Sequence, residues 1–411
     1  MLKRIEKGDT LLVKGPASVR LTKGCAKCLD IDMNVEKPIL VRKGKTLPFE
    51  CYDDCEFWLI LGEGSSSEIR NSSEGVGTKI WSDLVKEIKE KKPSCVMLVG
   101  ENDSGKSTLT AYIANLCLND VDKVWIVDGD LGQADLAPPG CLGLSLTVRK
   151  ITDLRDLVAK RFSFIGLTSP YKAMNLVINE LAKLRNYAEK NGSKLTVVNT
   201  DGFVKDEGLV YKLNMARAIK PDLVACIEDG EEMERAFSNN GWDVIKVNKP
   251  RGTYKNHAER SERRLLQYRR FLKGSKRMNI DLKLANFHFL GKTYFDVSKF
   301  QNHHYQGLKA ISKDSSIIRI VENNVSFIVH KPNGEEIITS FQALKEMFVG
   351  LGRAKNDELE IKGFGVVEKI GKKFQTIISS TTNDFDTIVL SAIKLTRGLE
   401  EEKMIPIIYQ K

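Results

Sequence analysis

The 411-residue sequence predicts an α/β fold with a mostly parallel sheet, flanked by an N-terminal β domain and a C-terminal β-rich domain. Short alternating apolar runs, punctuated by Gly and Pro, fill residues 1–75 and are typical of β structure. In residues 76–275, buried apolar runs alternate with helical patterns, which indicates successive βα units. Alternating runs return in residues 276–411. The sequence therefore predicts three domains with these boundaries.

The flanking regions carry the turn residues and short apolar runs of β-strands. In the N-terminal region we predict strands at Thr10–Val13, Ala17–Leu21 and Phe57–Leu61. The polar stretch from Gly62 to Ser73 is typical of a linker. In the C-terminal region, Pro332-Asn333-Gly334 predicts a hairpin between Val325–Val329 and Ile337–Ile338.

The central region contains the continuous apolar runs expected of a parallel sheet that is buried on both faces. Helical periodicity between these runs is clearest from Met174 to Glu189. The predicted strands are Cys95–Val99, Val124–Val127, Phe162–Ile165, Leu195–Val198, Leu223–Ile227 and Val244–Val247.

The composition, 42% hydrophobic and 29% charged residues, is that of a globular protein with a sizeable core. No apolar window is long enough for a membrane helix, so no membrane partner is predicted. The segment Met1–Lys7 has no long apolar stretch of the secretory type, and we expect a cytoplasmic protein, or a nuclear one in a nucleated cell. The net charge of +10 is compatible with a polyanionic partner and does not by itself establish one.

Four of the eight cysteines form two closely spaced pairs, Cys25-x-x-Cys28 and Cys51-x-x-x-Cys55. A zinc knuckle is one interpretation of this spacing. Another is that the cysteines lie on strands, where residues three apart point to opposite faces. A disulfide between strands is a third interpretation, which applies mainly to a hyperthermophile cytosol. The sequence leaves all three open.

The most specific motif is the run from Gly100 to Ser107, which fits the phosphate-binding pattern G-x-x-x-x-G-K-[ST] between an apolar strand and a helical pattern. Its glycines let main-chain N–H groups surround phosphates, and the helix N-terminus adds partial positive charge. Lys106 is predicted to reach the β- and γ-phosphates of ATP, and the Ser107 hydroxyl to hold Mg²⁺. The predicted nucleotide-binding residues are Gly100, Asn102, Asp103, Ser104, Gly105, Lys106, Ser107 and Thr108.

A second candidate site follows the next predicted strand, in the segment Asp128-Gly129-Asp130-Leu131-Gly132-Gln133. Carboxylates just beyond the carboxyl end of a sheet strand lie where ligands bind in open α/β folds. Beside a phosphate loop, Asp128 and Asp130 are candidates for organising Mg²⁺ and for accepting a proton from an attacking hydroxyl. A polar turn that caps the strand is the alternative interpretation.

Taken together, these segments resemble the polynucleotide 5′-hydroxyl kinases, which include the kinase subunit of the mRNA 3′-end cleavage factor, the kinases of ribosomal RNA processing and short archaeal relatives. The resemblance covers roughly residues 10–272. It rests on the order of the motifs: Gly15-Pro16-Ala17, Asp103–Thr108, Asp128–Gln133 with Pro138-Pro139-Gly140, Gly166–Pro170, and Asn199–Phe203.

The resemblance implies roles for individual residues. Asp130 matches the family's catalytic carboxylate, Asp128 matches a position held by Asp or Glu, and Gln133 matches a lining residue. Thr200, Gly202 and Phe203 match a clasp over the RNA acceptor end, with Phe203 in place of the family's Trp. A smaller ring stacks more weakly on a base, and a core role for Phe203 is the alternative. Thr168 and Ser169 match a turn near the acceptor, or form an ordinary helix N-cap.

A basic segment between Lys255 and Phe271 matches the family's arginine-bearing lid helix. Planar guanidinium groups suit phosphoryl transfer because they follow charge onto the moving phosphoryl group. The predicted lid pair is Arg260 and Arg264, which share a helix face at i, i+4, with Arg269 as the alternative second member. A solvated basic helix is the other interpretation.

The resemblance implies an ATP- and Mg²⁺-dependent enzyme that transfers the γ-phosphate of ATP to the 5′-hydroxyl end of RNA, or of DNA, in RNA processing. Lys106, Asp130, Arg260 and Arg264 are its predicted catalytic residues, and Ser107, Asp128 and Asp130 its predicted metal-binding residues. Proteins of an RNA-processing complex are further expected partners. The alternatives are an ATP-binding scaffold subunit of such a complex with little activity, and a partitioning or assembly ATPase.

Overall fold

The structure is a computed structural model, and it describes residues 1–71, 77–250, 256–280, 286–289, 292–295, 326–330, 336–340, 345–355, 358–370, 374–378 and 385–402. Its residues form two compact units. The first unit consists of Met1–Leu136, Gly143–Lys160 and Ile178–Arg263, and the second of Ala137–Leu142, Arg161–Val177 and Arg264–Lys411. The predicted division into domains 1–75, 76–275 and 276–411 stays a prediction.

The N-terminal part of the first unit is built of nine strands, as its Gly- and Pro-punctuated apolar runs predict. They are β1 (Leu2–Ile5), β2 (Thr10–Lys14), β3 (Ala17–Lys23), β4 (Ala26–Cys28), β5 (Ile31–Asp32), β6 (Ile39–Val41), β7 (Thr46–Cys51), β8 (Cys55–Leu61) and β9 (Ser66–Arg70). They pair in two sheets, with the strand orders β1-β8-β3-β6 and β5-β4-β7-β2-β9.

The predicted linker at Gly62–Ser73 is wrong, because its residues 66–70 form the edge strand β9. This strand pairs antiparallel with β2, with Thr10 opposite Arg70. An edge strand has one unpaired side and little burial, so polar residues are tolerated along it. Serine-rich composition therefore hides a strand at this position.

Helices and strands alternate in the central part of the chain. The helices are α1 (Ser82–Lys91), α2 (Lys106–Cys117), α3 (Met174–Lys190), α4 (Glu207–Ile219), α5 (Glu232–Asn239) and α6 (His257–Phe271). The strands are β10 (Cys95–Gly100), β11 (Val124–Gly129), β12 (Cys141–Thr147), β13 (Arg161–Phe164), β14 (Thr196–Thr200), β15 (Leu223–Ile227) and β16 (Val244–Val247). Two short 3-10 helices lie at Gly77–Trp81 and Leu154–Asp156.

In the first unit the sheet strands follow the order β12, β11, β14, β10, β15, β16. All neighbours pair in parallel except β11 and β12, which are antiparallel. Strands β10, β11, β14 and β15 are buried throughout, as their continuous apolar sequences predict. The predicted α/β fold class with a mostly parallel sheet is confirmed.

A continuous hydrophobic core joins the N-terminal strands to this sheet within the first unit. It extends from Leu11 and Phe49 in the β region to Leu98 and Val197 in the sheet. The buried amide of Asn115 on α2 reinforces the connection, since its Nδ2 donates to the main-chain oxygens of Leu29 and Ile151 at 2.6 and 2.8 Å. The N-terminal strands and the nucleotide-loop helix are thus parts of one packed body.

The second unit is mainly antiparallel β structure. Its later strands are β17 (Lys276–Ile280), β18 (Asn286–Phe289), β19 (Lys292–Phe295), β20 (Ser326–His330), β21 (Glu336–Ser340), β22 (Phe348–Lys355), β23 (Glu358–Ile370), β24 (Phe374–Ile378), β25 (Thr387–Leu390), β26 (Lys394–Leu395) and β27 (Glu401–Glu402). One sheet has the order β17-β24-β23-β22-β25-β18-β19. The buried rings of Phe348 and Phe364, on strands of this sheet, pack with those of Phe164 and Tyr268 at centroid distances of 5.2–6.4 Å.

The predicted C-terminal hairpin is present as β20 paired antiparallel with β21, with Ile328 opposite Ile338. Its turn, Pro332-Asn333-Gly334, lies outside the described residues. In the part of the chain that the structure describes, no helix is long and apolar enough to cross a membrane.

Candidate nucleotide-binding and phosphoryl-transfer site

The loop between β10 and α2 has the backbone geometry of a phosphate cradle. Asp103 and Gly105 adopt positive φ angles of 61° and 89°, and helix α2 begins directly afterwards at Lys106. A side chain at Gly100 is excluded sterically, since its Cβ would lie 2.8 Å from both the Ile227 carbonyl oxygen and the Ser104 Oγ. Only a glycine leaves room for β15 and the loop to approach this closely at the end of the strand.

The ammonium group of Lys106 is buried inside the loop. Its Nζ donates to the carbonyl oxygens of Gly100 and Glu101 at 2.7 and 2.6 Å. Burial lowers the pKa of Lys106 to about 8, and the negative charge of Asp130 opposes the shift. The amine is held by neutral carbonyls and lies in the field of a carboxylate, which suits it to exchange these contacts for phosphate oxygens.

An open cavity lies over this loop, within the first unit. Besides the loop, its lining includes the Asp130 carboxylate, the Gln133 amide, two arginines of helix α6 and the turn before β7. The lining residues are Gly44, Lys45, Thr46, Asn102, Asp103, Ser104, Gly105, Lys106, Ser107, Thr108, Asp130, Gln133, Arg260 and Arg263. The predicted nucleotide-binding residues from Asn102 to Thr108 are therefore brought together with Asp130, Gln133 and Arg260. Gly100 shapes the loop from the end of β10.

Asp128 and Asp130 have different environments although they are two residues apart. The buried Asp128 carboxylate accepts from the N–H groups of Asp135 and Leu136 at 2.6 and 3.0 Å, and from Asn199 Nδ2 at 2.9 Å. Burial raises the pKa of Asp128 to about 6, and the negative charge of Asp135 adds to the shift. These contacts make Asp128 an anchor for the segment that follows β11.

Asp130 presents its carboxylate to the cavity. Its Oδ1 accepts from the N–H groups of Gly132 and Gln133 at 3.0 and 2.9 Å. Burial raises the pKa of the Asp130 carboxyl above its ordinary value, while the charge of Lys106 opposes that rise. A carboxylate with a raised pKa beside a phosphate loop is a suitable acceptor for the proton of an attacking hydroxyl.

Asn199, at the end of β14, connects the phosphate loop helix to this acidic segment. Its Nδ2 lies 2.9 Å from Asp128 Oδ1 and 3.4 Å from Ser107 Oγ. Its Oδ1 is buried and has no hydrogen-bond partner among the described residues. A buried polar atom without a partner is unusual, and a hydrated cation bound near Ser107 would explain it by bringing donors into the site.

Helix α6 places Arg260 and Arg263, which are one turn apart, on the cavity. Arg260 donates to the Asp103 carboxylate at 2.7 Å, and Arg263 donates to the Asp135 carboxylate at 2.6 Å. Arg264 belongs to the second unit, where it donates to the Glu401 carboxylate at 2.7 Å. Arg269, the predicted alternative, donates to the Gly398 carbonyl oxygen in the same unit. The sequence thus predicts the i, i+4 pair Arg260 and Arg264, whereas the i, i+3 pair Arg260 and Arg263 lines the cavity.

A buried ionic cluster supports the cationic side of the cavity. The fully buried Asp135 lies 2.6 Å from Arg263, 3.1 Å from Lys45 and 3.6 Å from Arg155. Although burial acts in the opposite direction, these cations hold the pKa of Asp135 well below its usual range. Because Lys45 comes from the turn before β7, the cluster ties the N-terminal strands to helix α6.

The segment Thr200–Phe203 lies directly against the phosphate loop. A Cβ on Gly202 would be 2.1 Å from Asn102 Oδ1 and 2.5 Å from the Asn102 nitrogen. Thr200 Oγ1 donates to the Leu98 carbonyl oxygen at 2.8 Å. The Phe203 ring is half-buried, 6.2 Å from the Tyr211 ring.

The remaining predicted residues have less specific surroundings. Gln133 Nε2 donates to the carbonyl oxygens of Gly132 and Arg260 at 3.0 and 3.2 Å. Thr168 is half-buried and Ser169 exposed, both in the second unit.

All eight cysteines are free thiols, and the described residues contain no group of three or more metal-ligating side chains of the His, Cys, Asp or Glu type. Cys28, Cys51 and Cys55 lie on strands β4, β7 and β8, as one of the three interpretations expects.

Sequence reasoning missed Lys45, Asp135, Asn199 and Arg263 as members of the site. Asn199 directly precedes the predicted clasp, and Asp135 follows the predicted acidic segment by two residues, so both had a weak positional signal. Arg263 lies next to Arg264 in the sequence, and the predicted i, i+4 spacing from Arg260 does not include it. Lys45 comes from a distant segment, and nothing in its local sequence points to the cavity.

The fold and this cavity define an α/β protein with a P-loop for nucleoside triphosphate phosphates. Residues 100–274 match the family model described as the mRNA cleavage and polyadenylation factor CLP1 P-loop. Over this part of the chain, the resemblance to polynucleotide 5′-hydroxyl kinases seen in the motifs is confirmed.

Two curated relatives illustrate the similarity. The polyribonucleotide 5′-hydroxyl-kinase of Pyrococcus abyssi is 31% identical over 195 residues, which are 47% of this chain and 54% of the relative. The polynucleotide 5′-hydroxyl-kinase NOL9 of Bos taurus is 30% identical over 150 residues, which are 35% of this chain and 21% of the relative. The match thus covers about half the length of the archaeal relative and a smaller share of NOL9.

Among solved structures, the chain is similar to Clp1p in the wild-type Clp1p–Pcf11p complex. The TM-score is 0.69 at 12% sequence identity, over 96% of this chain and 97% of the other. A second structure, which concerns the Pcf11p–Clp1p interface and ATP loss in a Gly-to-Arg mutant, has a TM-score of 0.68 at 13% identity. At this identity the likeness concerns the fold, and it extends beyond the P-loop region to nearly the whole chain.

Proposed function

We propose that the protein is an ATP-dependent polynucleotide 5′-hydroxyl kinase that transfers the γ-phosphate of ATP to the 5′-hydroxyl end of RNA, with DNA as a second acceptor to be tested, in RNA processing. The observation that carries the proposal is that one cavity contains the phosphate loop, the Asp130 carboxylate and the Arg260 guanidinium. The names of the curated relatives support the same activity.

ATP would bind along the loop from Gly100 to Thr108, with Lys106 on the β- and γ-phosphates. Asp130 would accept the proton of the 5′-hydroxyl as its oxygen attacks the γ-phosphorus, while the bond to the ADP oxygen breaks. Arg260 would stabilise the charge on the transferred phosphoryl group. Two residues are candidates for the second lid cation. Arg264 is predicted from the i, i+4 spacing in the sequence, and Arg263 lines the cavity. Positioning and electrostatic stabilisation provide most of the catalysis in such transfers.

Mg²⁺ fits the residues around Ser107. The Ser107 hydroxyl, Asp130 and the unpartnered Asn199 Oδ1 offer the oxygen atoms that this cation and its water shell prefer. Asp128, whose carboxylate is occupied by three close donors, would act by holding Asn199 in place. Bound Mg²⁺ would neutralise charge on the phosphates during transfer.

We propose that the acceptor end of RNA contacts Gln133, Thr200, Gly202 and Phe203 of the first unit. The role of Thr168 and Ser169, which belong to the second unit, stays a prediction from the sequence. Within this proposal the protein acts with other components of an RNA-processing complex. Two findings support such partners: the matching family model is that of an mRNA cleavage and polyadenylation factor, and Clp1p is bound to Pcf11p in the similar solved structure.

The direct experiment incubates purified protein with Mg²⁺, γ-labelled ATP and a 5′-hydroxyl RNA oligonucleotide. Transfer of label to RNA is the expected result. Release of free phosphate alone would indicate a partitioning or assembly ATPase instead, and binding of ATP without either product would indicate a scaffold subunit. A 5′-phosphorylated oligonucleotide of the same sequence is the matched control, because it offers no acceptor hydroxyl.

A further inference from the structure

The segment Thr200–Phe203 is clamped between two elements of the first unit. On one side Gly202 touches Asn102 of the phosphate loop, at a distance that leaves no room for a Cβ. On the other side the start of α4 approaches so closely that a Cβ on Gly208 would lie 2.8 Å from the Phe203 carbonyl carbon and oxygen. Small displacements of α4 are therefore transmitted to this segment, because the contacts at Gly202 and Gly208 are too close for the segment and its neighbours to move independently.

A buried polar network connects the segment to α4. Asp201 is 3% exposed, and its Oδ1 accepts from the Phe203 N–H at 2.9 Å. The same oxygen lies 2.8 Å from Lys212 Nζ, and Oδ2 accepts from the Tyr211 hydroxyl at 3.0 Å. Lys212 is fully buried, and its Nζ lies 4.7 Å from the centre of the Tyr211 ring.

An ion pair without exposure to water is a costly way to build a helix contact. Desolvation of both charges offsets much of their attraction, so apolar residues would stabilise the same contact at least as well. What the hydrogen bonds of Asp201 to Phe203 and Tyr211, together with the buried charge of Lys212, supply is a fixed geometry. Here the geometry that they fix is that of the Asp201–Phe203 turn.

We propose that Asp201, Tyr211 and Lys212 form a positioning network that holds the Thr200–Phe203 segment against the phosphate loop in the arrangement that receives the nucleic-acid end. This inference rests on the proposed function and deepens it. None of the three residues was identified as a site residue from the sequence. They are positioning residues, because they act through Gly202 and Phe203.

The test compares two variants in the full chain. Tyr211→Phe removes one hydroxyl and keeps the ring, and the paired variant Asp201→Ala/Lys212→Met removes the turn acceptor without leaving a buried charge unpaired. Ser94→Ala is the control. Ser94 Oγ also donates to a carboxylate, that of Asp222, but Ser94 directly precedes β10 and is therefore at the end of this strand away from the phosphate loop. Thermal unfolding establishes that each variant is folded.

Binding is measured with a fluorescent 5′-hydroxyl RNA oligonucleotide in the presence of a non-hydrolysable ATP analogue and Mg²⁺. Loss of one hydrogen bond to a charged group predicts a roughly tenfold weaker oligonucleotide affinity in Tyr211→Phe, and a larger loss in the paired variant. The affinity for the ATP analogue is expected to stay within about twofold, while Ser94→Ala changes neither. Unchanged oligonucleotide affinity in both variants would overturn the proposal.

Amide hydrogen exchange provides a readout that needs no activity. Exchange at the Phe203 amide is expected to accelerate in both variants and to stay unchanged in Ser94→Ala. If both variants keep wild-type exchange there, the network does not hold the segment. If wild-type protein transfers no label to RNA but exchange accelerates as expected, the proposed function fails and the positioning of the segment stands.

Discussion

The Arg260 guanidinium and the Asp103 carboxylate lie 2.7 Å apart, so that the first half of helix α6 is joined to the phosphate loop. Two further ion pairs, Lys14–Glu259 at 2.9 Å and Lys43–Glu262, hold the same half of the helix on the N-terminal strands. Arg260 is thereby kept beside the phosphate loop, where the proposed function needs a cation.

Replacing the arginines of α6 one at a time distinguishes the two helix registers. We expect Arg260→Ala to lower the turnover number about 100-fold, with little change in ATP affinity, because it removes a cation that acts mainly on the transition state. Arg263→Ala should have a larger effect on turnover than Arg264→Ala, since Arg263 lines the cavity and Arg264 is paired with Glu401. Steady-state kinetics with 5′-hydroxyl RNA measures both quantities. A larger loss of turnover in Arg264→Ala than in Arg263→Ala would instead support the i, i+4 pair Arg260 and Arg264.

Asp135→Asn should destabilise the protein strongly. Removing this carboxylate leaves Lys45 and Arg263 without their common buried counter-charge, which costs about 3–5 kcal/mol in the free energy of unfolding. Chemical denaturation at neutral pH measures the difference. Asp32→Asn is the control, since Asp32 is 75% exposed beside Lys27 and its replacement should cost no more than about 1 kcal/mol.

The effect of Asp135→Asn should depend on pH in a defined direction. The pKa of Asp135 is depressed in the folded protein, so its contribution is complete above the unfolded pKa of about 3.9 and is lost as the pH falls further. The stability difference between wild type and variant should therefore be constant at neutral pH and shrink below about pH 4. A difference that grows on acidification would show that the carboxylate is not held ionised by its cations.

Gly202→Ala should weaken ATP binding although Gly202 is not part of the phosphate loop. The new Cβ would lie 2.1 Å from Asn102 Oδ1 and 2.5 Å from the Asn102 nitrogen, so the loop would have to move. Gly230→Ala is a matched control, because no atom lies within 4 Å of a Cβ built there. Equilibrium binding of a fluorescent ATP analogue compares the two, and equal affinities would contradict the close packing of Gly202 on Asn102.

ATP with Mg²⁺ should raise the thermal unfolding temperature, since a ligand that binds only the folded state stabilises it by about 2.7 kcal/mol at 100 times its Kd. The rise should be absent in Lys106→Ala, which loses the buried ammonium group of the loop. Thermal scans with and without nucleotide measure it. An equal rise in both proteins would place the nucleotide elsewhere.

Much of the fold was accessible from the sequence because strands such as β10 and β15 are buried on both faces and their apolar runs are continuous. Strand β12 was missed: it follows directly on Pro138-Pro139-Gly140 and contains Gly143, both of which weaken a strand pattern. Its antiparallel pairing with β11 depends on tertiary contacts that no local pattern reports.

The site was predictable where a local motif specifies it and not where distant segments meet. The loop around Lys106 and the acidic segment around Asp130 follow strand ends, and topology brings strand ends to one edge. Lys45 reaches the cavity from the N-terminal strands, so only the folded chain reveals it. The predicted lid pair Arg260 and Arg264 stays a prediction, because the sequence alone does not distinguish it from the pair Arg260 and Arg263 that lines the cavity.

In the proposed function, Asp130 activates a 5′-hydroxyl for attack on ATP held by the loop. The most direct measurement compares wild type and Asp130→Asn for transfer of label from γ-labelled ATP to a 5′-hydroxyl RNA oligonucleotide, followed by digestion to locate the label. We expect wild type to place the label on the 5′-terminal nucleotide, and Asp130→Asn to bind ATP normally and transfer none. Near-normal transfer by Asp130→Asn, or label found only as free phosphate with wild type, would contradict the account.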